Sequence, residues 1–306
     1  MLLQSKVFLS SATFTGTSFE VVKMEQSTNF MEQSEDNKVI PMTSVSSGKL
    51  REAAPYVHYY TNQIVNLAFI GKPDGTWVLI DAGMPKSAKE IIDVAEETFG
   101  IRQPPEAIIL THGHFDHVGS IVDLILEWNV PVYAHIMEHP FLTGAMAYPE
   151  PDTSVEGGML AKISSLYPNE PIDIHEVLQA LPPDGSVPHL PGWQWIHVPG
   201  HSPGQVALFR EEDRLLISAD AFITVKQDSM YKVLLQKKEV CGPPVYLTTD
   251  WEAAYESVQR LAALNPQTVI PGHGTAISGD ELREGLSALI KNWNEVAVPD
   301  HGKWVK

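Results

Sequence analysis

From about residue 46 onward, short apolar runs alternate with stretches of helical spacing. "YYTNQIVNLAFIG" and "TWVLIDAG" read as successive strands, with the turn "KPDG" between them. "SAKEIIDVAEETFG" places apolar residues at helical intervals, with Ser87 as an N-cap and Gly100 as a stop. "EAIIL" predicts a short buried strand, "GSIVDLILEWN" a helix and "PVYAH" another strand. "WQWIHV", "QVALFR", "RLLISAD" and "TVI" follow as β segments, and "DWEAAYESVQRLAAL" and "GDELREGLSALIKNWNEVA" as helices. Strands interleaved with helices predict α/β layering.

Two stretches break this rhythm. Residues 1–45, with "SSATFTGTSFE" and "MEQSTNFMEQSEDNK", are rich in Ser, Thr, Glu and Gln and hold no sustained period. They read as a mobile N-terminal extension or an arm onto a neighbouring subunit. The opening "MLLQSKVFL" is interrupted by Gln4, Ser5 and Lys6 and makes a poor export signal. Residues 140–192 carry nine prolines, too many for regular alternation, together with Phe141, Met146, Tyr148, Met159 and Tyr167. That apolar content predicts an ordered cap insertion. The domain expectation is therefore an extension at 1–45 and one domain at 46–306 carrying the insertion.

Composition narrows the function classes. A hydrophobic fraction of 43% and a charged fraction of 19% describe a soluble globular chain with a sizeable core. The net charge of −17 makes the average surface repel phosphate backbones, which argues against nucleic acid. No apolar run reaches the roughly 18 residues that span a bilayer, so a membrane partner is not expected. The single cysteine, Cys241, excludes an intramolecular disulfide and a multi-thiolate metal site. It reads as a buried incidental thiol, since no His lies near it in sequence. A cytoplasmic location and a small-molecule substrate are the accompanying expectations, and a homodimer is plausible from the extension and insertion.

The chemistry concentrates after strands. "AIIL" runs into Thr111, His112, Gly113, His114, Phe115, Asp116 and His117. "WIHV" runs into "PGHSPG" with His201, "LLIS" into Ala219 and Asp220, and "TVI" into "PGHG" with His273. In a layered α/β fold such loops converge on one edge of the sheets. Five histidines and two aspartates are too many for one tetrahedral ion and suit two ions sharing a bridge. His112 and His114, two apart on an extended turn, can face one ion. Asp116 and His117 can face another, and Asp220 can bridge, with a bridging hydroxide filling the remaining positions. The other histidines, at 58, 135, 139, 175, 189, 197 and 301, have no motif context and read as structural or surface residues.

"THGHFDH" followed by "PGHSPG", "SAD" and "PGHG" resembles the metallo-β-lactamase superfamily over roughly residues 55–290. The resemblance implies an α/β fold of the four-layer αββα sandwich type with a dinuclear site at one edge. It implies that His112, His114 and His201 hold one metal, that Asp116, His117 and His273 hold the other, and that Asp220 bridges. It also implies that Asp81 in "LIDAG" orients a ligand histidine, the plainer alternative being a strand cap. Zinc is the expected ion, with manganese, iron or cobalt fitting the same ligands.

The same resemblance sorts the reactions. The bridging Asp220 counts against penicillin hydrolysis, since family lactamases carry Cys or Ser there. His114 stands where the flavodiiron members carry Glu. Thioesterases of the glyoxalase II kind and lactonases keep all seven ligands. Lactonases of that group carry a Tyr three residues beyond the bridging Asp, where this chain has Ile223. Lys226 or Tyr231 could instead reach the site to steady an oxyanion. The expectation is a dinuclear hydrolase of a small ester, lactone or thioester in which the hydroxide attacks and Asp116 handles the proton. A β-lactamase or phosphodiesterase at the same site, or a scaffold without turnover, are the alternatives.

Overall fold

Alternation with a period of two decides where each strand side chain goes, and two such sheets with helices outside them make four layers. The computed structural model describes residue 44 and residues 46–155, 172–225 and 239–305. The extension at 1–45, apart from Ser44, and residues 156–171 of the insertion lie outside the described residues.

The first sheet runs in order β1 (Lys49–Ala54), β2 (Val57–Asn62), β3 (Val65–Gly71), β4 (Trp77–Ile80), β5 (Ile108–Ile109), β6 (Val132–Ala134) and β7 (Leu178–Ala180). Its first four strands form an antiparallel meander, and β4 to β7 are parallel. The second sheet has the order β12 (Ile277–Ser278), β11 (Thr268–Pro271), β10 (Leu215–Ala219), β9 (Val206–Arg210) and β8 (Trp193–His197). Only β10 and β11 are parallel in it.

Three apolar interfaces hold the layers. Tyr60, Leu67, Phe69, Trp77 and Leu79 face outward onto helices α1 (Ala88–Phe99) and α3 (Ile121–Trp128), which supply Ile91, Ala95, Leu124 and Ile125. Their neighbours Tyr59, Ala68, Ile70, Val78 and Ile80 face inward and meet Val206, Leu208, Leu215 and Ile217 of the second sheet. On the far side, Ala207, Phe209, Leu216 and Val269 pack under α5 (Trp251–Ala263) and α6 (Gly279–Lys291). The short helices α2 (Phe115–Val118), α4 (His139–Leu142) and α7 (Trp293–Val296) sit in the connections. The expected αββα sandwich is the fold found.

Two expectations change in detail. "YYTNQIVNLAFIG" is not one strand but the β2–β3 hairpin, turning at Gln63, which takes φ 58° without a Gly or Pro to announce it. "GDELREGLSALIKNWNEVA" breaks at Asn292 into α6 and α7. Within the insertion, β7 joins the edge of the first sheet beside β6. Among the described residues no helix is long and apolar enough to cross a membrane.

Candidate metal centre

The ends of β4, β5, β8, β10 and β11 lie at one rim of the sandwich, where backbone bonds tie the two sheets together. Val206 N–H donates to Thr111 O at 2.9 Å, and Asn66 N–H to Gly272 O at 2.8 Å. The Asn66 amide adds bonds to Pro271 O and Gly274 O at 2.9 and 2.7 Å. Asp220 follows Ala219, which is turned into the left-handed region at φ 48°, a strained conformation for alanine. Gly272 is required beside it, because a Cβ there would collide with Asp220 Oδ1.

This rim gathers all seven candidate ligands, every one buried. Their ligand atoms fall into three overlapping groups whose members lie within 4.8 Å of one another: His112 with His114 and His201, His112 with His117 and Asp220, and Asp116 with His117 and His273. One oxygen belongs to both sides. Asp220 Oδ2 is 3.4 Å from His201 Nε2, 3.6 Å from His117 Nε2 and 3.2 Å from His273 Nε2.

Hydrogen bonds on the outer ring nitrogens assign the tautomers. The Thr111 hydroxyl donates to Asp81 Oδ2 at 2.9 Å, so its oxygen accepts from His112 Nδ1 at 3.0 Å. The Thr248 hydroxyl donates to Pro244 O at 2.8 Å and accepts from His201 Nδ1 at 3.1 Å. His117 Nδ1 donates to Asp81 Oδ2 at 2.8 Å, and His273 Nδ1 to Ile64 O at 3.1 Å. In the neutral form each of these four rings therefore directs an Nε2 lone pair inward. His114 differs: its Nδ1 faces His201 Nε2 at 2.9 Å. Asp81, itself at φ 63°, also takes the Thr111 N–H at 2.8 Å, so it caps the strand end as well as holding His117.

The donor set fits divalent cations. His112 Nε2, His117 Nε2, Asp116 Oδ1 and Asp220 Oδ1 are buried without a hydrogen-bond partner. Buried polar atoms are nearly always paired, so a convergent set of orphaned nitrogen and oxygen donors marks a place for a positive ion.

Electrostatics divides the site. Burial, then neighbouring imidazoles, hold His112 and His114 well below the usual histidine range. His201 is brought down to about 4, chiefly by burial. These three stay neutral and ready to donate lone pairs. Burial also pulls on His117 and His273, but Asp116, Asp81 and Asp220 outweigh it at His117 and hold it well above the ordinary value. Asp220 and Asp116 do the same at His273, raising it to about 10. Burial would raise Asp220, yet His273 and His117 keep it well below the carboxylate range.

Of the other residues singled out in the sequence, Lys226 and Tyr231 lie outside the described residues. Ile223 is buried and bridges to the equally buried Cys241. His135 stacks on His197 with ring centroids 4.3 Å apart, away from the three ligand groups. Sequence reasoning missed the supports: Thr111, Thr248, Glu138 and Tyr148. Thr111 had a signal, a hydroxyl directly before a strand-end histidine. Thr248 lies 47 residues from the ring it holds and had none.

The profile of the metallo-β-lactamase superfamily matches residues 60–273. This chain belongs to that superfamily. It is 47% identical over 259 residues to the "Probable metallo-hydrolase YflN" of Bacillus subtilis strain 168, covering 84% of this chain and 98% of that one. It is 25% identical over 223 residues to the "Hydroxyacylglutathione hydrolase GloC" of Haemophilus influenzae, covering 71% and 90% of the two chains. The solved structure of a "Beta-lactamase domain protein from Burkholderia ambifaria" superposes with a TM-score of 0.57 at 22% identity, over 81% of this chain and 77% of that one. That last likeness concerns the fold alone. Membership of the superfamily and the convergent His/Asp cluster identify a metal-dependent hydrolase.

Proposed function

We propose that this metallo-β-lactamase superfamily protein is a dinuclear hydrolase of small esters, lactones or thioesters. The observation that carries the proposal is the position of Asp220 Oδ2, within 3.6 Å of histidine nitrogens from both triads. His112, His114 and His201 would hold one ion, and Asp116, His117 and His273 the other. Two bound divalent ions, zinc in the first instance, supply Lewis acidity and a water that loses its proton near neutral pH.

The protein's own groups do the rest. Asp81 and Thr111 fix the rings of His117 and His112, so the inward lone pairs need no reorganisation. Asp116 would also orient the attacking water and pass its proton to the departing alkoxide or thiolate. The overall change consumes one water and releases an acid with an alcohol or thiol.

The half-buried Phe115 beside His114 and Asp116, backed by an apolar cluster, supports an acyl substrate. Ile64, Val65, Met84, Val155, Val225 and Tyr246 pack together with Phe115 of the His-rich loop. The likeness to the Haemophilus influenzae hydroxyacylglutathione hydrolase favours the thioester within this class. A carboxylate at 220 disfavours the β-lactam alternative. The single cysteine is compatible with a reducing, cytoplasmic setting.

The test is a panel of lactones, thioesters, simple esters, β-lactams and phosphodiesters with the purified protein, with and without chelator. Chelator-sensitive turnover confined to the acyl substrates is expected. Turnover of phosphodiesters or β-lactams alone, or none on any member, would overturn the proposal.

A further inference from the structure

Glu138 has no place in the ligand set, yet its side chain is wholly buried between two ligand loops. Oε1 accepts the Gly204 N–H at 2.6 Å and the Ser202 hydroxyl at 2.9 Å. Oε2 accepts the Gly113 N–H at 3.0 Å and the Tyr148 hydroxyl. Gly113 sits between His112 and His114, and Ser202 directly follows His201. One carboxylate thus joins the loops that carry the three histidines of the first triad, reaching 25 residues back and 66 residues forward along the chain.

The surroundings are shaped for that contact. A Cβ on Gly204 would lie 2.8 Å from Glu138 Cγ and N, and one on Gly113 would lie 2.7 Å from the Tyr148 hydroxyl. The middle glycine of "HGH" and the last of "PGHSPG" are therefore glycines because the bracket needs their backbone at close range. Tyr148 is itself clamped, its ring 4.4 Å from His114 and stacked 4.0 Å from Phe141. Among the described residues nothing comparable spans the second triad: His117 and His273 are held separately by Asp81 and by Ile64 O.

We infer, building on the two-ion reading of the site, that Glu138 is a positioning residue which sets the spacing of His112, His114 and His201 and so the cation affinity of the first triad alone. A carboxylate is needed because its two oxygens serve four donors. A glutamine there has one accepting oxygen, and its NH₂ must face either the Gly113 or the Gly204 N–H, so one loop is released whichever way it turns.

The experiment measures zinc affinity of the full chain by competition with a chromophoric chelator, in two backgrounds. His273→Ala leaves the first triad intact, and His201→Ala leaves the second. Adding Glu138→Gln to His273→Ala is expected to weaken zinc binding about 10- to 100-fold, the usual effect of losing a ligand's hydrogen-bonded support. Adding it to His201→Ala is expected to change affinity less than about threefold. Tyr148→Phe removes one donor of the four and should move the same site in the same direction by less, which decides the matter if Glu138→Gln fails to fold. Equal losses in both backgrounds, or no loss in either, overturn the inference while leaving the hydrolase proposal standing. Wild-type protein that binds no zinc overturns both.

Discussion

His112, His114 and His201 meet as three neutral imidazoles with no carboxylate among them, whereas Asp116, His117 and His273 share a carboxylate and carry histidines pushed upward. The two triads share the Asp220 carboxylate and lie within one buried cluster. The difference between them teaches how each keeps its shape without an ion. In the second triad, opposite charges attract and draw the side chains together. In the first, no opposite charges draw the rings together beyond the 2.9 Å contact of His114 Nδ1 with His201 Nε2, and the rest of the spacing comes from outside, through Thr111, Thr248 and the Glu138 bracket.

The comparison is broken most severely at the group common to both halves. Asp220→Asn should lower kcat on the preferred acyl substrate by about 10³-fold, equivalent to roughly 4 kcal/mol of transition-state stabilisation. Steady-state kinetics checks this, and a loss below about tenfold would mean that the shared oxygen is not central. Asp81→Asn comes next. It bonds His117 directly and reaches His112 only through Thr111, so zinc affinity should fall about 10- to 100-fold at the second triad and less at the first. Thr248→Val removes only the support of His201 Nδ1, and about tenfold weaker binding confined to the first triad is expected.

The smallest effect is the pH dependence of the metal-free protein, where the triads act with opposite sign. His201 is depressed to about 4 from 6.5, so its contribution to stability is present above about 6.5 and lost as pH falls toward 4. His273 is raised to about 10 from 6.5, so its contribution is complete below 6.5 and lost as pH rises toward 10. Thermal midpoints of chelator-treated protein should decline on both sides. Asp220→Asn should flatten the alkaline limb by removing a carboxylate that raises His273. An unchanged alkaline limb in that variant would contradict the assignment.

Much of this molecule could be read from local pattern. Alternation separates Leu67 and Phe69, which face helices, from Ala68 and Ile70, which face the second sheet. The seven candidate ligands are legible because each follows an apolar β run and most lie in loops punctuated by Gly or Pro. The β2–β3 turn is hidden because Gln63 adopts a left-handed conformation that sequence normally assigns to Gly or Asn. Glu138 and Thr248 are hidden for another reason. Their partners are backbone or ring atoms 66 and 47 residues away, and no local periodicity encodes such a meeting. Support of this kind becomes visible only when the chain is folded.

Counting cations tests the central claim most directly. Purified protein reconstituted with zinc and dialysed free of excess should retain two ions per chain, measured by elemental analysis against amino-acid quantitation. His201→Ala and His273→Ala should each retain one. A wild-type count of zero or one after zinc loading, or a count unaffected by either substitution, would contradict it.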